Sequence, residues 1–207
     1  MDYTPIMSAV FWPLLFFAVL AASVALLRPR FVGAIGEAAV SRKLRRYCSE
    51  AADDLILPDG RDGLTQVDHL ALTPAGLLVV ETKNYGGLIL GQSRDRAWTQ
   101  CIGRQRNKLQ NPLRQNQGHV KAVQALAAGV PVSGLVVFTN RARFPKGRPT
   151  GVLLLSELRR VFRQDAGAGV PQSYRQAWES VVAHSRTDRA ARKAHLRGVR
   201  ERKRARA

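Results

Sequence analysis

The feature that most constrains this chain is residues 6–27, a run of 22 apolar and small residues without a charge. As a helix rising 1.5 Å per residue, the run would extend about 33 Å, enough to cross the hydrocarbon core of a bilayer. No base precedes it, which disfavours a cleaved signal peptide, and the bases that follow it are of the kind that stay cytoplasmic. The sequence therefore predicts a single-pass anchor in the cell membrane, with the N-terminus outside and the rest in the cytoplasm. The alternative is a buried core helix.

The chain is also strongly basic, with 33 Lys and Arg against 15 Asp and Glu, a formal net charge of +18. Such an excess indicates a polyanionic partner, either nucleic acid or an anionic lipid surface. Residues 185–207 hold ten of the bases and two acids, with few large apolar residues. They are expected to form a basic tail outside the core that binds nucleic acid or anionic lipid, or that only keeps the protein soluble. The two cysteines are far apart and neither has a CxxC partner, so the sequence indicates neither a disulfide scaffold nor a zinc cluster.

Between anchor and tail, the apolar pattern predicts one α/β domain over residues 31–165, after the anchor at 1–30 and before a helical segment and basic tail at 166–207. Helices are expected at 36–50, at 111–128, after a cap at Ser156, and at 171–184. Strands are expected at 54–58, 64–73, 77–84, 88–90, 97–99, 132–139 and 151–155, with the strand at 132–139 buried on both faces.

The most informative stretch is the hairpin of residues 64–84, whose turn lies at residues 73–76. A turn centred there pairs residues whose numbers add to 149, so that Asp68 faces Glu81. Opposed like charges are destabilising, and a divalent cation would hold them together. Strand alternation places Lys83 on the face of Glu81, and the carbonyl of Thr82 adds an oxygen. Two carboxylates and an amine suit Mg²⁺ or Mn²⁺ and phosphodiester hydrolysis. The alternative is a surface hairpin with an ordinary salt bridge.

Other candidates are weaker. His69 follows Asp68 on a strand, so its side chain is expected on the opposite face, in a supporting role. His119 is interpreted as a packing or surface residue of its helix. Trp98 and Tyr85 could stack on bases but are more typical of a core. The basic loop at 140–148 follows a buried strand, where α/β proteins often contact ligands, and is otherwise a solvated loop.

Several motifs occur together in one order. They are Gly36-Glu37, Gln66-Val67-Asp68-His69, residues 76–87 (GLLVVETKNYGG), Trp98, and residues 111–116 (NPLRQN). In order and spacing they resemble the nuclease-related domain family (NERD), which is similar to the PD-(D/E)xK nuclease superfamily. The resemblance covers roughly residues 33–155, and Val67 stands where the superfamily's name places proline.

The resemblance implies a restriction-endonuclease-like fold, in which helices flank a mixed central sheet, here preceded by the transmembrane helix. It implies that Asp68, Glu81 and Lys83 are the metal and catalytic positions. Glu37 would complete the site by contacting the metal or its water, and Gln100 and Gln115 match polar positions near it.

Together these observations predict a membrane-anchored, Mg²⁺-dependent nuclease whose nucleic-acid substrate is expected to be DNA rather than RNA. One alternative is a non-catalytic module that binds nucleic acid or tethers to a membrane. Another is a small membrane protein that recruits a protein partner. Fold alone does not decide between these functions.

Overall fold

The chain divides into two units, residues 1–35 and 36–207. The computed structural model describes residues 4–60, 63–163, 168–186 and 189–204. In the first unit, Trp12, Phe16 and Phe17 of helix α1 (Thr4–Tyr47) each expose about two thirds of their surface. Within the described residues, no helix meets the length and apolarity needed to span a membrane. The anchor at residues 6–27 stays a prediction, and many of its side chains lie outside the described part.

The second unit alternates strands and helices, which confirms the predicted α/β class. After α1 come β1 (Glu50–Pro58), β2 (Leu64–Thr73), β3 (Gly76–Lys83), β4 (Gly87–Leu90), β5 (Ala97–Ile102), β6 (Gln105–Gln110), α2 (Pro112–Gln124), β7 (Val132–Phe138), β8 (Ala142–Arg143), β9 (Val152–Leu154), a 3₁₀ turn (Leu155–Glu157), α3 (Leu158–Phe162), α4 (Gln172–His184) and α5 (Arg189–Arg204).

The central sheet is mixed and has the strand order β1-β2-β3-β7-β9. Strands β1, β2 and β3 are antiparallel neighbours, whereas β7 and β9 run parallel to β3. The β2–β3 pairs run from Thr73 with Gly76 to His69 with Val80, so the predicted register is confirmed. The next residues beyond this ladder are Asp68 and Glu81.

The β2–β3 turn depends on Gly76. Its φ is 125°, a conformation that side chains rarely adopt, and a Cβ atom there would overlap the Pro131 carbonyl oxygen. The Thr73 hydroxyl donates a 2.9 Å hydrogen bond to the Gly76 carbonyl, and the Ala75 amide donates to that hydroxyl. The turn thereby sets which residues of the two strands face each other.

Helices cover both faces of this sheet. On one face, Leu70, Leu72 and Val79 pack against Val123 of α2 and Trp178 of α4. On the other, a second cluster brings α1 and α3 onto the sheet; it comprises Val40, Leu44, Ala71, Val80, Leu135, Val137, Leu158 and Phe162. Because side chains alternate along a strand, Asp68, Glu81 and Lys83 share the face of α2, and His69 and Thr82 share the face of α1.

A smaller sheet of order β6-β5-β4-β8 lies beside the central one. Trp98 of β5 stacks on Phe138 of β7 with ring centroids 6.1 Å apart, and Tyr85 contacts the same ring. Trp98 is 1% exposed, so it is a core residue. Strand β6 was not predicted, because its sequence QRNKLQ is almost entirely polar and exposed.

Three expectations are wrong in detail. The basic segment after residue 185 is not a tail without core contacts: its described part forms α5, which packs on β1 and β2 and buries Ala191 completely. Ser156 does not cap a helix but lies inside the 3₁₀ turn. Strand β7 is buried only over its last four residues, whereas Ser133 and Gly134 are exposed.

Candidate active site

Asp68, Glu81 and Lys83 meet where β2 and β3 pass beneath α2. Glu81 is 2% exposed, and its Oε1 lies 2.6 Å from Nζ of Lys83. Asp68 occupies the neighbouring position of β2, where its Oδ2 accepts a 2.9 Å hydrogen bond from the Thr82 amide. The structure therefore brings together the carboxylates and the amine that the hairpin register predicts.

Helix α2 supplies Gln115, which joins the same group. Its Nε2 donates to Glu81 Oε1 at 2.6 Å, and its Oε1 accepts from Lys83 Nζ at 3.0 Å. The start of α2 is held by Asn111, whose Oδ1 accepts from the Leu113 amide and whose Nδ2 donates to the Asp95 carbonyl. This capping residue orients the first turn of α2, so that Gln115 reaches Glu81 and Lys83 on β3.

His119 was not predicted to belong to the site, but it follows Gln115 by one helical turn. It is buried, with Nε2 3.2 Å from Glu81 Oε2 and Nδ1 2.8 Å from the Thr65 hydroxyl. Residues four apart on a helix share a face. The spacing of Gln115 and His119 was therefore the signal that could have placed both side chains over Glu81.

Two buried atoms at this contact have no hydrogen-bond partner within the described part of the chain. Glu81 Oε2 and His119 Nε2 are close enough for an ion pair, but their geometry does not form a hydrogen bond. A buried polar atom without a partner costs about 1–3 kcal/mol, which indicates that a ligand or water belongs there.

The donor set fits Mg²⁺ or Mn²⁺. Carboxylate oxygens are the ligands these ions prefer, and Glu81 Oε2 is a buried carboxylate oxygen without a hydrogen bond. Among the residues described, no group of three or more His, Cys, Asp or Glu side chains is placed to hold a metal. Two carboxylates suit Mg²⁺ in particular, because this ion keeps several of its waters.

Burial and neighbouring charges shift the pKa values of all three groups. Burial, together with the charge of Glu81, raises the pKa of Asp68 to about 6. Burial also favours neutral Glu81, but the proximity of His119 and the hydrogen-bonded cation of Lys83 outweigh it and lower the pKa of Glu81. Burial opposes a charge on Lys83, yet the contact with Glu81 raises the Lys83 pKa. Lys83 is therefore a cation and Glu81 an anion near neutral pH.

A second polar network supports the site from the α1 side of the sheet. The Thr82 hydroxyl lies 3.0 Å from Nε2 of His69, and His69 Nδ1 donates to Asp53 at 2.7 Å. Ser41 and Arg45 of α1 donate to the other oxygen of Asp53. Burial would raise the pKa of Asp53, but these hydrogen bonds hold it well below its usual range. His69 thus lies on the predicted opposite face and holds Thr82, whose amide binds Asp68.

Two predicted residues are not brought to this group. Glu37 is exposed on α1, and its side chain makes no hydrogen bond or ion pair in the described part of the chain. Gln100 is buried in β5, where its Nε2 donates to the Gly86 carbonyl. Their roles, and that of the Thr82 carbonyl as a metal ligand, stay predictions.

The group opens into a cleft of about 870 Å³. Asp68, Gln115 and His119 line it, Arg114 and Lys121 of α2 add positive charge to one wall, and Asp59 adds a negative charge to the lining. The basic loop at 140–148 does not line this cleft, and its Arg148 instead binds Glu157, whose pKa falls to about 2. The cleft thus combines a buried ionised centre with a basic wall.

Two comparisons with known proteins found a match. A family model described as nuclease-related domain matches residues 32–139, about half of the chain. The chain is also 36% identical over 101 residues to an uncharacterized protein of Bacillus anthracis. That match covers 47% of this chain and 48% of the relative, so the chain spans about half the length of the curated relative it matches. No solved structure matches the chain.

Proposed function

Because the chain belongs to the nuclease-related domain family, we propose that it is a metal-dependent nuclease that hydrolyses phosphodiester bonds in DNA. One observation carries the proposal. Glu81 is buried and paired with Lys83, its second oxygen has no hydrogen bond, and Asp68 lies beside it at a basic cleft. A carboxylate that stays ionised despite burial and an oxygen without a hydrogen bond is typical of a functional site.

In this proposal Asp68, Glu81 and the Thr82 carbonyl hold Mg²⁺ or Mn²⁺. The ion would polarise a phosphoryl oxygen and lower the pKa of an attacking water. Lys83 keeps its proton, because its pKa is raised, and places a positive charge where negative charge grows on the phosphate. Gln115 fixes the Lys83 ammonium by accepting its second hydrogen bond. The family resemblance alone adds Glu37, which would contact the metal or its water.

The test is digestion of plasmid and single-stranded DNA by the purified full chain with Mg²⁺, Mn²⁺ or EDTA. Asp68→Ala and Lys83→Ala are expected to lower the rate at least about 100-fold, since each removes a group that acts in the transition state. Lys146→Ala, which removes a positive charge from an exposed loop, is the matched control. Equal digestion by all variants, or none by any protein with metal, would refute the catalytic proposal. RNA in the same assay tests the preference for DNA.

We further propose that residues 6–27 anchor the protein in the cell membrane with the C-terminus in the cytoplasm. The exposed aromatic side chains of α1 support this, because large exposed apolar surface is costly in water. A reporter fused after Ala207 should be cytoplasmic, and detergent should be required to extract the protein. Release by high salt alone would exclude the anchor.

A non-catalytic nucleic-acid-binding or membrane-tethering module is the second candidate, and the basic wall of the cleft favours its nucleic-acid form. This function needs no metal. It predicts salt-sensitive DNA binding that survives Glu81→Gln, without digestion in Mg²⁺ or Mn²⁺.

A further inference from the structure

The C-terminal helix α5 is fixed to the sheet by specific contacts. Ala191 is completely buried, and His195 Nδ1 donates a 3.0 Å hydrogen bond to the Leu64 carbonyl. Before the helix, Arg186 and Ile56 exchange backbone hydrogen bonds of 2.9 and 3.3 Å, and Arg192 binds the Asp54 carboxylate. Helix α5 therefore has a defined place beside β1 and β2.

That place is on the cleft that contains Asp68. His195 and Val199, one helical turn apart, line the cleft from the α5 side. A second depression of about 420 Å³ adjoins it and shares Leu64 and His195 with it. Lys193, Arg197 and Glu201 line the second depression, so the path formed by the two hollows carries two positive charges and one negative charge beside His195.

Helix α5 is strongly basic in sequence. Residues 189–204 contain eight Lys and Arg against one Glu. Lys193 and Arg197 are exposed, and the described part of the chain offers neither of them an ion pair. The helix also lies outside residues 32–139, the segment that matches the family.

We propose that α5 is the second wall of the nucleic-acid-binding cleft, and that Lys193 and Arg197 contact backbone phosphates of a bound strand. Arg114 and Lys121 of α2 line the same cleft as His195 and Val199 of α5, so a bound strand would contact both helices beside Asp68. A nucleic acid strand fits this arrangement better than a lipid surface, because the path is concave and leads to Asp68. The inference rests on the proposed function for its substrate class, but it concerns binding and does not require cleavage.

The test measures binding of a fluorescent single-stranded DNA 20-mer, and of its duplex, to the full chain in mild detergent with EDTA. The variant is Lys193→Ala/Arg197→Ala. The control is Arg159→Ala/Arg160→Ala, which removes the same charge from exposed positions of α3. Loss of two phosphate contacts is expected to reduce the salt slope for single strands by about 1.4 and to weaken binding about 25-fold at 0.1 M salt. The control should bind like the parent protein.

Equal weakening in both variants would overturn the proposal, because it would assign the effect to net charge. Unchanged DNA binding with lost binding to phosphatidylserine vesicles would also overturn it and assign α5 to the membrane. Circular dichroism and thermal melting verify that the variants are folded, and the single changes Lys193→Gln and Arg197→Gln provide milder versions. The binding assay contains no free metal, so its result does not depend on cleavage. A protein that binds DNA as expected, but does not digest it when Mg²⁺ or Mn²⁺ is added, would refute the proposed nuclease activity and still support α5 as a binding surface.

Discussion

Replacing Asp68 by Asn should make the metal-free protein more stable at neutral pH. The carboxyl has a pKa of about 6 in the folded chain, against 3.8 as its reference value. At 1.36 kcal/mol per pKa unit, this rise corresponds to about 3 kcal/mol. Asp68 is only partly buried, so solvent screening makes this figure a ceiling. Asn keeps a side-chain oxygen that can accept the Thr82 amide hydrogen bond.

The pH dependence has a definite sign. Above about pH 6, Asp68 is ionised in both the folded and the unfolded state. Its ionisation is unfavourable only in the folded state, where burial and the charge of Glu81 oppose it. Between pH 6 and 3.8 the folded state binds the proton first, and the penalty disappears as the pH falls. The gain from Asp68→Asn should therefore be fully present above about pH 6 and absent below about pH 4.

The assay is equilibrium urea unfolding in EDTA, followed by tryptophan fluorescence at pH 4, 5, 6 and 7.5. Glu179→Gln on α4, an exposed position, is the control, because it removes one negative charge away from the cleft. Its unfolding free energy should equal that of the parent at each pH. The reasoning would be refuted if Asp68→Asn were no more stable than the parent at pH 7.5, or if the difference did not change with pH.

Three further predictions concern the same region. Lys83→Met should lower the free energy of unfolding, measured in urea, by about 3 kcal/mol, because buried Glu81 loses the cation that pairs with it. Adding Glu81→Gln to this variant should restore most of the lost stability, and additive losses in the double variant would contradict the pairing. Gly76→Ala should cost at least about 2 kcal/mol by thermal melting, whereas Gly103→Ala, which also has positive φ but open space around it, should cost about 1 kcal/mol; equal costs would exclude the Pro131 overlap. Mg²⁺ at 100 times its dissociation constant should stabilise the parent by about 2.7 kcal/mol, and Asp68→Asn much less; an equal melting shift in both would place the metal elsewhere.

The β2–β3 hairpin could be read from the sequence because its determinants are local. A short turn fixes the register, and alternation then decides which side chains share a face. The same reasoning placed His69 correctly on the far face. The family resemblance supplies Gln115 instead. The sequence alone favours a packing or surface role for His119, because its spacing from Gln115 becomes informative only once Gln115 is placed over Glu81.

The misjudged segments lack the apolar pattern on which such reasoning depends. Strand β6 pairs with β5 through its backbone and presents polar side chains to solvent. Helix α5 is held by a small residue, Ala191, and by polar contacts of Arg192 and His195, so its sequence looks like a solvated tail. Backbone pairing and polar docking leave little trace in hydropathy.

The pairing of β9 with β7 shows that the segment needed for folding is longer than the segment that carries the motifs. The family match ends at Thr139, yet Val136, Val137 and Phe138 pair with β9, and Trp178 of α4 covers the cluster beneath β2 and β3. A piece of chain cut at the family boundary would expose an apolar strand edge, the kind of surface that drives aggregation. The segment that carries the motifs is therefore expected to fold only together with the C-terminal elements that cover this edge and this cluster.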